Sequence, residues 1–239
     1  VVAILLAMVA SEDIYSSYDD TKAIIFSIGC ASIWLGLLNS VQEICKEKVI
    51  LQKEHMADLK LSSYLLSKFI VQGIIAFIQA TLLVGIFQKI VGSSEHSILI
   101  DGYWDIQLVS FLSILAAAST GLFISAVVKN SNIAMSVIPL ILVPQLLYSG
   151  MLFKLDGITD FVSNFVLCRW TVEALGTSVN LNDLTHIAQT INPLIEIEPE
   201  NYFTFTTEHM IEVIGIILLM TAVLMLASYF VLRKNVNKN

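Results

Sequence analysis

The charged segment 42–63 carries the first side chains whose types and spacing could do chemistry. Counted as one helix over residues 42–60, at about 100° per residue, it places four carboxylates within an arc of about 60°. These acids are Glu43, Glu47, Glu54 and Asp58, and Lys48 directly follows Glu47. Because like charges at i,i+4 weaken an isolated helix by about 0.2–0.5 kcal/mol, a basic partner would stabilise it. The acids therefore form either a solvated face or an ionic docking surface.

The other side of this predicted helix is apolar, and we expect it to pack against the rest of the chain. It consists of Ile44, Cys45, Val49, Leu51, Met56 and Leu59.

Polar side chains also interrupt two of the apolar stretches. Lys68, Gln72 and Gln79 fall within an arc of about 40° on a helix, which predicts either hydrogen bonds between helices or a wetted translocation surface. In the stretch 133–153, Pro139 and Pro144 free backbone carbonyls, and Gln145 follows directly. This pattern favours a kinked helix lining a cavity, although prolines are also ordinary in membrane helices.

The chain beyond residue 148 is moderately apolar but too polar to cross a membrane. It runs from Ser149-Gly150 into residues 158–178, whose marked side chains are Phe161, Phe165, Arg169, Trp170 and Glu173. Since aromatic and arginine side chains favour the headgroup level, we expect an interfacial or re-entrant element. Cys168 in this element is either a buried free thiol or half of a bridge between subunits.

Two stripes of small residues indicate close helix packing. Ser32, Gly36 and Ser40 form one, and Ala117, Gly121 and Ser125 form the other, each at four-residue spacing. Small side chains at this spacing let helix backbones approach closely in a membrane.

No arrangement of residues predicts catalysis or metal binding. The four histidines lie outside the apolar stretches, and no carboxylate lies in the middle of one, where it would cost about 2.5–3.5 kcal/mol. The three cysteines show no C-x-x-C spacing, and the phosphate-binding pattern G-x-x-x-x-G-K-[ST] is absent. We therefore expect no catalytic residue, metal or cofactor in this chain, and no binding of nucleic acid.

The elements that position these residues are predicted to be membrane helices in a single domain. The chain of 239 residues is 56% apolar and 14% charged, with a mean hydropathy of +0.79. Five stretches reach the roughly 20 apolar residues of a crossing: 23–41, 64–87, 108–128, 133–153 and 210–232. We expect the apolar residues 1–10 to end a longer helix rather than a signal peptide, which gives an all-α bundle of six crossings.

The distribution of charge predicts the orientation. With cytoplasmic termini, nine of the thirteen basic residues and only four of the twenty acids lie inside, as the positive-inside rule requires. The segment 42–63 is then internal and the segment 154–209 external. We expect an integral protein of the cytoplasmic or plasma membrane.

The internal segment resembles the G subfamily of ATP-binding-cassette exporters. In that group a Glu-[Arg/Lys] pair, a Glu seven residues after the first and a Tyr-x-x-x-Lys mark the loop after the second membrane helix. Their counterparts are Glu47-Lys48, Glu54, Tyr64 and Lys68. The external segment is similar to the family's re-entrant pair, from Leu147-Tyr-Ser-Gly-Met151 to Arg169-Trp-Thr-Val-Glu-Ala-Leu175, with Cys168 in place of the usual Pro.

The resemblance implies a type-2 ABC membrane domain that works as a dimer. It further implies an ATP-binding domain outside these residues, which binds ATP and Mg²⁺ and contacts the acidic face of segment 42–63. The stripe of Gln72 and Gln79 and the Pro139–Gln145 region would line the pathway. The alternatives are a passive channel or structural subunit and a membrane-embedded enzyme, and the enzyme lacks a catalytic cluster.

Overall fold

The described part of the chain is helical or irregular throughout. The computed structural model describes residues 1–10, 14–56, 59–92, 96–153, 155–185 and 201–236, and no β-strand occurs in these ranges. The α-helices are α1 (Val2–Val9), α2 (Tyr18–Ser40), α3 (Lys48–Met56), α4 (Leu61–Val91), α5 (Gly102–Val127), α6 (Ser131–Leu147), α7 (Ile158–Ser163), α8 (Leu167–Ser178) and α9 (Thr207–Val236). A short 3-10 turn, Asn201–Phe203, precedes α9.

Four helices are long and apolar enough to cross a membrane, where the sequence predicts six. They are α2, α4, α5 and α9. Helix α6 is apolar but has 17 residues, and α1 has 8. At 1.5 Å per residue α6 spans about 25 Å, which is shorter than the roughly 30 Å of a hydrocarbon core. The all-helical membrane fold is confirmed, whereas the count of six crossings stays a prediction.

Helix α5 forms the centre of the bundle. In its most apolar stretch 72% of the residues are buried, against 28% in α4 and 22% in α9. It packs against α2, α4, α8 and α9. Because α4 and α9 leave many of their large apolar side chains exposed, these two helices form an outer face that lipid or a partner would cover.

The two stripes of small residues, which predict close helix packing, pack against each other. A Cβ added at Gly36 of α2 would overlap the carbonyl oxygen of Ile114 and lie 2.8 Å from Ala117 Cβ of α5. A Cβ at Gly121 would overlap Ser40 Oγ and lie 3.0 Å from the Leu37 carbonyl oxygen. The backbones of α2 and α5 therefore approach each other at a distance that only glycine allows.

The segment after α6 folds back onto the bundle. A Cβ at Gly29 of α2 would lie 3.1 Å from Val172 Cγ2 of α8, and every residue of α8 except Trp170 is buried. Residues near the start of α2 and the end of α8 also line one cavity, Ile24, Ile25, Ile28, Leu175 and Val179 among them. The segment predicted to be interfacial or re-entrant thus contains a pair of short helices, of which α8 packs along the N-terminal half of α2.

The expectation of one helix over residues 42–60 is wrong. Residues 41–47 form turns, and α3 begins at Lys48. The amides of Ile44 and Cys45 donate at 2.9 Å to the hydroxyl of Ser125 on α5, instead of to carbonyl oxygens one turn earlier. A tertiary contact therefore interrupts the helical pattern that the sequence suggests. Asp58 lies outside the described residues.

Candidate functional site

Lys68 of α4 holds the acidic part of the turn 41–47. Its Nζ lies 2.7 Å from Glu47 Oε1 and 3.5 Å from Glu43 Oε2. The Tyr64 hydroxyl donates to Glu47 Oε2 at 2.8 Å. Glu43 and Glu47 therefore face α4 of their own chain, so these acids do not form the outward ridge with Glu54 that the sequence predicts.

The environment of Glu47 favours its charged form. Burial opposes ionisation, but the hydrogen bonds from Lys68 and Tyr64 and the positive charge of Lys68 outweigh it, and the pKa of Glu47 is lowered. The cluster is therefore an ion pair at neutral pH that ties the turn 41–47 to α4.

The same segment is also tied to the end of α5. Besides the two amides held by Ser125, the Lys48 ammonium donates to the Val128 carbonyl oxygen at 3.3 Å. The Asn235 amide of α9 donates to the Ala126 carbonyl oxygen at 3.1 Å. The C-terminal end of α5 thus receives contacts from both α3 and α9.

Helix α3 buries Leu51 deeply and exposes a mixed face. Leu51 is 1% exposed and packs in an apolar cluster with residues of α4, α5 and α9. Val49 is 66% exposed and Ile50 56%, and Lys53 and Glu54 are exposed beside them. The prediction that Val49 packs inward with Leu51 is wrong, because α3 begins six residues later than expected and turns a different side inward. The exposed face is therefore both apolar and charged.

The polar stripe of α4 is used for contacts within the chain. Gln79 Oε1 accepts a hydrogen bond of 2.8 Å from Asn39 Nδ2 of α2, and Gln72 is buried. For Gln79 this matches the first of the two alternatives, hydrogen bonding between helices.

The proline-containing helix α6 supports α8. Gln145 Oε1 accepts a hydrogen bond of 2.8 Å from the backbone amide of Cys168 in the first turn of α8. Pro139 and Pro144 lie in α6 on exposed positions. The residues predicted to line a pathway therefore fall into two groups. Gln79 and Gln145 make hydrogen bonds within the chain and Gln72 is buried, whereas the two prolines face outward.

The turn after α6 fits its Ser-Gly sequence. Ser149 Oγ donates to the Leu146 carbonyl oxygen at 2.7 Å, and Gly150 has φ +80°, a conformation that glycine adopts without strain. Phe161 and Phe165 meet edge to face at 5.5 Å and are 65% and 70% exposed. This pair gives α7 an apolar surface.

A polar cluster connects α7, α8, the turn Asn201–Phe203 and α9. The Arg169 guanidinium binds Asn164 and lies over the rings of Trp170 and Tyr202, at 4.4 and 4.8 Å from their centroids. The Tyr202 hydroxyl donates to Asp160 Oδ1 at 2.7 Å. Arg169 is thus held in place by neutral groups on three sides.

Glu173 is the buried acid of this cluster, with 5% exposure. Its Oε1 lies 3.3 Å from His209 Nε2, and its Oε2 lies 3.7 Å from Arg169 Nη2. Burial raises the pKa of Glu173 to about 7; Arg169 lowers it, and the negative charges of Glu212 and Asp160 raise it. A buried acid thus titrates near neutral pH.

No metal centre is formed in the described ranges, where no three histidine, cysteine or acidic side chains gather closely enough to hold an ion. The groups that could do chemistry are instead the ion pair at Lys68, the exposed face of α3 and the cluster around Glu173.

Sequence reasoning missed Ser125, Asn39, Tyr202 and His209 as contact residues. The sequence predicts Ser125 only as part of a packing stripe. Nothing in the neighbouring sequence distinguishes a serine that only packs from one whose hydroxyl accepts hydrogen bonds from two backbone amides. Asn39 lies at the end of α2, and a polar residue at that position was a usable signal for a partner such as Gln79.

Comparison with known proteins gives two findings. A family model described as ABC-2 type transporter matches residues 1–178. The chain is also similar to the ABC transporter ATP-binding/permease protein Rv1747 of Mycobacterium tuberculosis, with 22% identity over 162 residues. That match covers 66% of this chain and 19% of the relative, so the chain spans a small part of the relative's length.

Proposed function

This chain belongs to the ABC-2 type transporter family, and on that premise we propose that it is the permease domain of an ATP-driven exporter. The observation that carries the proposal is the exposed face of α3. Val49, Ile50, Lys53 and Glu54 lie on a short helix that contacts the end of α5 through Lys48 and packs against α4, α5 and α9 through Leu51. A short helix anchored by Leu51, with an exposed apolar and charged face, suits docking of a partner domain.

The partner is an ATP-binding-cassette domain, fused or separate, that binds ATP and Mg²⁺. The similar mycobacterial protein is called an ATP-binding/permease protein, which supports such a pairing. Closure of the ATP-binding domain would push on α3. Leu51, the Glu47–Lys68 ion pair and Ser125 would pass the movement on to α4 and α5.

Six crossings with cytoplasmic termini complete the topology. Helix α1 would take part in one crossing, since Ala3 and Ala7 are buried against the bundle. Helix α6 and the apolar residues after it, Leu152 and Phe153, would form another. The excess of basic residues on the α3 side supports this orientation.

Two copies, or two similar halves, would enclose the pathway. The exposed faces of α4, α6 and α9 are large apolar surfaces that lipid and a second copy can share. Pro139 and Pro144 lie on such a face of α6, so we place them near the subunit interface. The motifs Glu47-Lys48, Glu54, Tyr64 and Lys68 support membership of the G subfamily.

The proposal is tested with Ile50→Asp in the full-length transporter, reconstituted in lipid. Burying an unpaired charge in the docking face costs free energy and should weaken docking. We therefore expect at least a tenfold loss of the ATP hydrolysis that the membrane domain stimulates, with expression and dimer formation unchanged. Ile100→Asp is the matched control, because Ile100 is 73% exposed but lies between α4 and α5 at the other end of the bundle. Equal activity of both variants and the wild type would reject docking on α3 and favour a passive channel or structural subunit.

A further inference from the structure

Glu173 is poorly compensated for a buried carboxylate. Its Oε2 atom has no hydrogen-bond partner among the described residues. The nearest cation, Arg169 Nη2, lies 3.7 Å away, beyond hydrogen-bond distance. Arg169 cannot easily move closer, because it binds Asn164 and is stacked on Trp170 and Tyr202.

The groups on the neighbouring elements do not fully compensate the charge of Glu173 either. His209 of α9 faces Glu173 Oε1 at 3.3 Å, but the same nitrogen lies 3.0 Å from the Tyr202 carbonyl oxygen. The other charged neighbours are acids, Asp160 of α7 and Glu212 of α9. Since negative neighbours oppose ionisation, they add to the effect of burial.

The carboxyl group borders a cavity from which a proton can reach it. Ser149, Gly150, Leu155, Tyr202 and Phe203 form the cavity with Arg169, Val172 and Glu173. In the proposed topology this cavity lies on the side of the membrane opposite the ATP-binding domain.

We propose that Glu173 is a proton-binding site and that its protonation favours the arrangement in which α8 packs against α9. One part of this proposal rests on the proposed function, namely the side of the membrane from which the proton comes. A carboxyl group without full hydrogen bonding is more stable neutral when buried and more stable charged when exposed to water.

The direction of the effect follows from linkage. The packed form holds the proton with a pKa of about 7, whereas the ordinary pKa of an exposed glutamate is 4.5. Between these values, each unit of falling pH favours the packed form by up to about tenfold. Acid on the cavity side therefore closes the contact between α8 and α9, and neutral to alkaline pH lets it open.

The first test is an infrared titration of the full-length transporter in lipid nanodiscs, which requires neither ATP nor substrate. We expect a protonated carboxyl band with a midpoint near neutral pH that Glu173→Gln removes and the exposed control Glu208→Gln retains. Glu212→Gln, also at an exposed position, lowers the midpoint because one opposing negative charge is gone. A neutral-pH band that survives Glu173→Gln, or no such band in the wild type, would overturn the proposal.

The second test is hydrogen exchange of the α8 amides, corrected for the intrinsic effect of pH. Protection of α8 in the wild type should rise about fivefold from pH 7 to pH 6 and stay constant in Glu173→Gln. The rise should remain in His209→Gln, which shows that the histidine is not the sensor. The same rise in Glu173→Gln, or none in the wild type, would contradict the proposal and leave ATP coupling through α3 untouched.

Discussion

At the scale of single residues, the sequence can identify an important side chain correctly and still suggest the wrong partner for it. Glu47, Tyr64 and Lys68 stand out in the sequence, and the structure brings them together. The sequence suggested an external basic surface for Glu47, because helical spacing alone cannot show that residues 41–47 turn back toward α4. Glu54 is the acid that stays exposed on α3.

Glu47→Gln should lower the thermal stability of the purified transporter at neutral pH. The pKa of Glu47 is lowered in the folded state, so its contribution is present above the ordinary glutamate pKa and is lost as the pH falls through the lowered pKa of the folded state. We expect the difference in Tm from the wild type to shrink between pH 7 and pH 4. Glu54→Gln is the matched control and should leave Tm unchanged at both values; a similar loss in both variants would argue against the ion pair.

At the scale of helices, the sequence predicts elements well where the pattern is local. The spans 23–41, 64–87, 108–128 and 210–232 correspond to α2, α4, α5 and α9, with ends that differ by several residues because polar residues extend each helix beyond its apolar core. The start of α3 is predicted wrongly, because the Ser125 hydroxyl, which accepts hydrogen bonds from two amides of the turn 41–47, lies some 80 positions further along the chain. Local periodicity carries no information about such a contact.

Gly36→Ala and Gly121→Ala should both destabilise the packing of α2 on α5. A methyl group at Gly36 meets a backbone carbonyl that cannot turn away, so we expect a loss of at least about 1–3 kcal/mol, the usual range for overpacking. At Gly121 the Ser40 side chain is the main obstacle and part of the strain can relax. Gly215→Ala in α9, where an added Cβ would meet no described atom within 4 Å apart from its chain neighbours and its own helix backbone, should be neutral or slightly stabilising. Thermal denaturation of the three variants in detergent measures the order of their stabilities, and equal Tm values would contradict the prediction.

At the scale of the whole molecule, hydropathy and charge predict a helical membrane domain, and the family match confirms it. Hydropathy predicts six crossings from run lengths, whereas α6 ends at Leu147 and the chain then turns at Ser149 and Gly150. The polar cluster around Glu173 was not predicted as a unit, because Arg169, Tyr202 and His209 come from three elements separated by a long segment. Only the fold brings them together.

The central claim, an ATP-binding domain docked on α3, is tested most directly by photocrosslinking. A benzophenone amino acid is placed at Ile50 of the full-length transporter in native membranes, and at Ile100 as the control. We predict that products from position 50 join α3 to peptides of an ATP-binding-cassette domain, while position 100 yields none. Products from position 50 that contain only lipid, or ATP-binding-domain peptides joined to position 100 instead, would contradict the account.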